Sequence, residues 1–159
     1  MASLAFHPAV FAAGISICGV SDIATLVAGT HKFESRYFDT LVGPLPEAAE
    51  RYAARSPLGA IDRIRVPLLM IQGADDRIVS PDQAEGIVRG LRANGAPVAY
   101  LLFDGEGHGF RGAYALRRAI GAQLAFLGRV FGFSLTDPTF DLDIDNWTGH
   151  ARCHDANTA

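Results

Sequence analysis

The sequence predicts an α/β fold of three parallel strands with flanking helices. Three observations carry that expectation. Residues 12–18 (AAGISIC), 66–72 (VPLLMIQ) and 98–103 (VAYLLF) are short, near-continuously apolar runs, the pattern of parallel strands covered on both faces. A well-marked helix lies between the second and third runs, giving a strand–helix–strand unit whose crossover is right-handed. The length, 159 residues with 49% hydrophobic and 19% charged, suffices for one domain with a real core.

The elements follow in order. Residues 20–62 read as mostly helical, irregular surface, with 46–55 the clearest helix. After the second strand, Ser80 is placed as an N-cap and Pro81 at the first helical position. Gln83 completes an S-x-x-Q capping box. Ala84, Ile87, Val88 and Leu91 then share one face, and Asn94-Gly95 stops the helix. A second amphipathic helix follows the third strand, with Leu116, Ile120, Leu124, Leu127 and Phe131 on its expected buried side. Residues 1–133 form the expected domain. Residues 134–159 read as a polar extension that docks through Phe140, Leu142, Ile144 and Trp147 and then frays.

Composition narrows the function classes. Fourteen basic and 17 acidic residues leave a net charge of −3, without the basic field that nucleic acid or an anionic membrane requires. The longest apolar stretch, 10–20, is too short to span a bilayer. No basic segment precedes Pro8, so no secretory leader is expected. Two cysteines, Cys18 and Cys153, make no disulfide framework and are read as free thiols in a reducing, cytoplasmic setting.

Two loops carry chemistry. Gly73-Ala74-Asp75-Asp76-Arg77-Ile78-Val79 follows the second strand, and Asp104-Gly105-Glu106-Gly107-His108-Gly109-Phe110 follows the third. Both leave the carboxyl edge of the sheet, where open α/β folds place their functional crevice. Neighbouring strands lie about 4.8 Å apart, so an acid in the first loop can reach an imidazole in the second. Such a pair is the acid–base half of a nucleophilic triad. Glycines beside His108 free its backbone to project the ring. Alone, an Asp after a strand is a turn or cap residue, and a lone His a surface group. Both readings stand on the residues themselves.

The stretch from Pro67 to Val79, an apolar strand followed by G-x-x-D-x-x-V, resembles the acid loop of the prolyl oligopeptidase family. Glu106-Gly107-His108-Gly109-Phe110 resembles that family's E-G-H-G-F histidine loop. His7-Pro8-x-x-Phe11, Cys18-Gly19-Val20-Ser21-Asp22 and Arg55-Ser56-Pro57-Leu58 are also similar, so the likeness covers about residues 2–133. The resemblance implies part of an α/β-hydrolase fold and hydrolysis of short peptides through an acyl-enzyme. His108 would be the general base and Asp76 its orienting acid, with no cofactor or metal required. The Asp and His loops alone also occur in dienelactone-hydrolase-like esterases.

One departure matters. In α/β-hydrolases the nucleophilic serine sits on a G-x-S-x-G elbow, ahead of the acid and the histidine. Serines here stand at 3, 16, 21, 35, 56, 80 and 134, and none lies in that motif. Ser16, in Gly14-Ile15-Ser16-Ile17-Cys18, is read as a strand residue, and Cys18 as a small buried hydrophobe. Ser3-Leu4-Ala5-Phe6 resembles the end of the helix that follows the elbow, so the nucleophile and oxyanion-hole donors are expected in sequence not present here. The edge of the first strand is then open, a template for self-association. Asp75 reads as a turn residue and Arg77 as a solvated loop charge. Ile78 is apolar where some dipeptidyl-peptidases carry a polar substrate-binding group, and Glu106 orients its loop. His150, Cys153 and His154 lack zinc-finger spacing, and His7 and His31 show no partner. The rival readings are an esterase and a non-catalytic remnant serving as an interaction module. A flavodoxin-like domain is disfavoured, because no glycine-rich phosphate loop follows a strand.

Overall fold

A computed structural model describes residues 1–29, 36–136 and 140–149. Helix α1 (Ala2–Phe6) leads into β1 (Gly14–Ile17), followed by α2 (Ile23–Gly29), α3 (Tyr37–Leu41), α4 (Ala49–Arg55) and a 3-10 segment (Pro57–Arg63). Then come β2 (Leu68–Gly73), α5 (Pro81–Ala93), β3 (Val98–Phe103) and α6 (Ala113–Phe131). The three strands form one parallel sheet in the order β1-β2-β3, with Gly14 opposite Leu68 and Leu68 opposite Val98. This is the expected α/β arrangement. Among the described residues no helix is long and apolar enough to cross a membrane.

Two strand ends differ from the sequence reading for local reasons. β1 is shorter than 12–18 because Cys18 turns into the left-handed region, at φ 48°. Its amide still donates to the Ile71 carbonyl at 2.9 Å. β2 begins at Leu68, since Pro67 has no N–H for the ladder. Central β2 is buried at every position, as a parallel strand covered on both faces must be.

Side-chain alternation along the strands divides the core. Leu68, Met70 and Val98 pack with Ala84, Ile87, Val88 and Leu91 of α5. Leu69, Ile71 and Ala99 pack with α6. The expected face of α5 is therefore buried. Ser80 caps that helix, its hydroxyl accepting from the Asp82 amide at 3.2 Å. The capping box does not form. Gln83 instead turns to the loop after β1, where its Oε1 accepts from the Ser21 and Asp22 amides at 2.8 Å each. Its Nε2 donates to the Asp22 carbonyl at 3.0 Å, a set of bonds that no single local contact could match.

The expected face of α6 is wrong except at Leu127, which is partly buried against the core on this side of the sheet. Ala115, Ala119, Ala122, Ala125, Phe126 and Val130 are buried, whereas Leu116, Ile120, Leu124 and Phe131 are 43–59% exposed. Small residues let the helix approach the sheet closely, and at Gly121 they admit the ring of Phe140. The segment 140–147 docks where expected: Leu142 is buried, and Phe140, Ile144 and Trp147 pack on the same cluster. Asp145 and Val98 exchange backbone bonds of 2.8 and 3.1 Å, and Asp145 also pairs with Arg92 at 2.7 Å. The fraying end, with His150, Cys153 and His154, lies outside the described residues, as does His31.

Candidate active site

The carboxyl edge of the sheet brings the two loops together through a glycine. A side chain at Gly73 would strike the carbonyl oxygens of Glu106 and Gly107, so only glycine lets the backbones touch. The contact is then fastened by hydrogen bonds. Ala74 N–H donates to the Phe103 carbonyl and Asp75 N–H to the Glu106 carbonyl, both at 2.9 Å. Gly109, at φ 104°, supplies the positive φ that closes the histidine loop, while Gly107 needs none.

Asp76 is buried and saturated with donors. Its Oδ1 accepts from the Ile78 and Val79 amides at 2.9 Å each. Its Oδ2 accepts from Gln72 Nε2 at 3.0 Å and lies 2.9 Å from His108 Nδ1. Burial pushes the carboxyl pKa up. The Val79 amide, His108 and the Ile78 amide outweigh it, holding the pKa below the ordinary aspartate value. Asp76 is therefore a fixed anion. Asp75 beside it is exposed and takes no part in the pair, as are Arg77 and Ile78.

His108 is different. Its side chain is 43% exposed, and among the described residues its one side-chain hydrogen bond is to Asp76. An anion facing Nδ1 favours the tautomer with the proton there, which leaves a lone pair on Nε2. Glu106 secures the loop from the far side. Its carboxylate accepts from the Arg111 and Gly112 amides at 2.7 and 2.8 Å. Gly112 is the N-cap of α6 and has no side-chain cap of its own, so Glu106 also sets a negative charge at that helix start.

Two residues at this edge escape a reading based on motifs. Gln72 is fully buried, and its Nε2 also donates to the Val79 carbonyl at 3.0 Å. A lone polar residue ending an apolar strand was the available signal. Cys18 is the second, and its reading as a buried hydrophobe is corrected. It is half-buried at the end of β1, and its Sγ, an Asp76 carboxylate oxygen and a His108 ring nitrogen all lie within 4.8 Å of one another. Burial pushes its thiol pKa up and the Asp76 charge adds to this, opposed by the backbone at Gly109 and Gly73. Ser16 is buried inside β1 opposite Met70, as a strand residue.

The chain is similar to known proteins in sequence and in fold. The chain is 36% identical over 115 residues to dipeptidyl aminopeptidase BIII of Pseudoxanthomonas mexicana, a match covering 69% of this chain and 17% of that protein. It is 42% identical over 79 residues to medium-chain fatty acid ethyl ester synthase/esterase 2 of Saccharomyces cerevisiae, covering 50% of this chain and 16% of that one. Among solved structures, a Mycobacterium tuberculosis puromycin-hydrolyzing peptidase superposes with a TM-score of 0.81 at 41% identity, over 86% of this chain and 20% of that one. The chain thus spans about a fifth of the length of the relatives it matches. Residues 1–134 match the sequence profile of the prolyl oligopeptidase family, taking in both loops of the site. On the strength of that match and the shared fold, this chain belongs to the prolyl oligopeptidase family.

Proposed function

We propose that Asp76 and His108 are the acid and base of a serine-type peptidase reaction on short peptides. The observation that carries this reading is the 2.9 Å bond between a buried aspartate and a half-exposed imidazole at the edge of neighbouring parallel strands. With the Nδ1 proton held by Asp76, Nε2 accepts the proton of a hydroxyl nucleophile as that oxygen attacks the substrate carbonyl. Asp76 stabilises the resulting imidazolium, which then protonates the leaving amine. We assign the nucleophile to a G-x-S-x-G segment outside these 159 residues, since none of the seven serines here lies in that motif. A reducing, cytoplasmic setting fits the free thiol of Cys18.

Ester hydrolysis is the second reading, favoured by the 42% identity to an ester synthase/esterase over 79 residues. The test compares peptidyl anilides with acyl esters as substrates of the protein carrying these residues together with the elbow segment. A higher kcat/KM on the peptides is expected, and His108→Ala should abolish turnover. Preference for esters would replace the peptidase reading. The 159-residue chain alone should take up no fluorophosphonate label. Stoichiometric labelling at Ser16 or another of its serines would overturn the assignment of the nucleophile.

A further inference from the structure

Cys18, Asp76 and His108 come from the ends of three adjacent strands, and together they offer a sulfur, an oxygen and a nitrogen donor within 4.8 Å of one another. We propose that these three residues form a binding site for a borderline-soft divalent cation of the zinc class. The donor set selects that class. Thiolate and imidazole suit zinc and its neighbours, while magnesium and calcium demand oxygen ligands. Three protein ligands with a fourth position open is a common zinc arrangement.

The geometry needs little adjustment. Metal–sulfur and metal–nitrogen bonds of about 2.3 and 2.0 Å hold tetrahedral ligand atoms roughly 3.3–3.7 Å apart. The imidazole nitrogen and carboxylate oxygen already lie 2.9 Å apart, and no pair in the cluster exceeds 4.8 Å. The left-handed turn at Cys18, φ 48°, ends β1 where its sulfur meets the other two groups. Outer support is also present. Gln72 donates to Asp76 from a fully buried amide whose own Oε1 has no partner among the described residues, so the carboxylate is held from behind.

The proton balance is simple. The cation takes the place of the proton between His108 Nδ1 and Asp76 Oδ2. That proton leaves Nδ1, and the neutral ring carries its proton on Nε2 instead. The Cys18 thiol releases its proton to solvent as sulfur binds, so one proton is lost per cation. With Nε2 protonated, the ring has no lone pair for a nucleophile's hydroxyl. The occupied site is then an inhibited one. That consequence rests on the proposed function, whereas the binding itself does not.

The test titrates the chelator-treated, reduced 159-residue chain with Co²⁺, following the thiolate-to-cobalt absorption, and then displaces the cobalt with Zn²⁺. One equivalent should bind. The band should persist in Cys153→Ala, which removes the other thiol, and vanish in Cys18→Ser. Asp76→Asn and His108→Gln should each weaken binding by at least about tenfold. Circular dichroism checks that each variant is folded. Should a variant unfold, long-range proton–nitrogen spectra of the unaltered chain decide, because Zn²⁺ must move the His108 proton from Nδ1 to Nε2. The absence of a thiolate band, a band that survives Cys18→Ser, or a His108 tautomer unchanged at saturating zinc would overturn the proposal. Binding that fails while peptide turnover still requires His108 removes this site and leaves the proposed function intact.

Discussion

Helices α5 and α6 cover opposite faces of the same three strands, and they bury opposite kinds of surface. α5 presents Ile87, Val88 and Leu91 inward, the face its apolar spacing predicts. α6 presents mostly alanines and glycines inward, with Phe126 and Val130 among them, and leaves Leu116, Ile120, Leu124 and Phe131 facing out. Large residues at helical spacing therefore mark a core face only when nothing smaller competes for the close approach. The same asymmetry reaches the site. The loop into α5 delivers Asp76, buried and fixed by Ile78, Val79 and Gln72. The loop into α6 delivers His108, half exposed and tied to one partner. The acid is built in and the base is held by it.

Substitutions can break this comparison, and the largest effect is expected in the dry α5 layer. Leu91→Ala should cost about 2–5 kcal/mol of stability, read from urea denaturation midpoints. A cost below about 1 kcal/mol would mean that α5 is not the anchoring layer. Gly121→Val on α6 should cost roughly 1–3 kcal/mol, because its side chain would collide with the Phe140 ring. Leu124→Ala, on the exposed stripe, should change stability by no more than about 0.5 kcal/mol. If Leu124→Ala matches Leu91→Ala, the stripe is buried in solution, and a second surface covers it.

A subtler prediction concerns acid. Asp76 has a folded pKa below its unfolded value, so its ionised form contributes stability at pH above the ordinary aspartate range. That contribution is lost as pH falls through the depressed folded value. Urea midpoints of the parent chain and Asp76→Asn should therefore differ above the ordinary aspartate range and converge only in the acid range. A gap that closes well above the ordinary aspartate pKa would show that the carboxyl is not held ionised by its donors.

How much of this was legible follows from where each signal lives. The limits of β3 and the buried face of α5 lie in local periodicity, and both were readable. That an acid of the first loop meets an imidazole of the second is legible because two loops leaving neighbouring parallel strands share an edge, whereas the choice of Asp76 over Asp75 rests on the resemblance to the family's G-x-x-D-x-x-V loop. A local capping rule cannot see the partners of Gln83, because Ser21 and Asp22 are some sixty positions away. The buried face of α6 departs from the apolar spacing because small residues dominate the side packed on the sheet, while the larger Leu116, Ile120 and Leu124 point out. Nothing in an apolar run announces that Cys18, its last residue, turns left-handed toward a carboxylate.

The central claim is that Asp76 fixes His108 with its proton on Nδ1 and its lone pair on Nε2. Long-range proton–nitrogen spectra of the metal-free, ¹⁵N-labelled chain measure this directly. Nδ1 should be protonated and Nε2 unprotonated in the neutral ring, an arrangement that Asp76→Ala scrambles into a mixture of tautomers. A His108 that carries its proton on Nε2 in the unaltered chain, or whose tautomer is indifferent to Asp76→Ala, would contradict it.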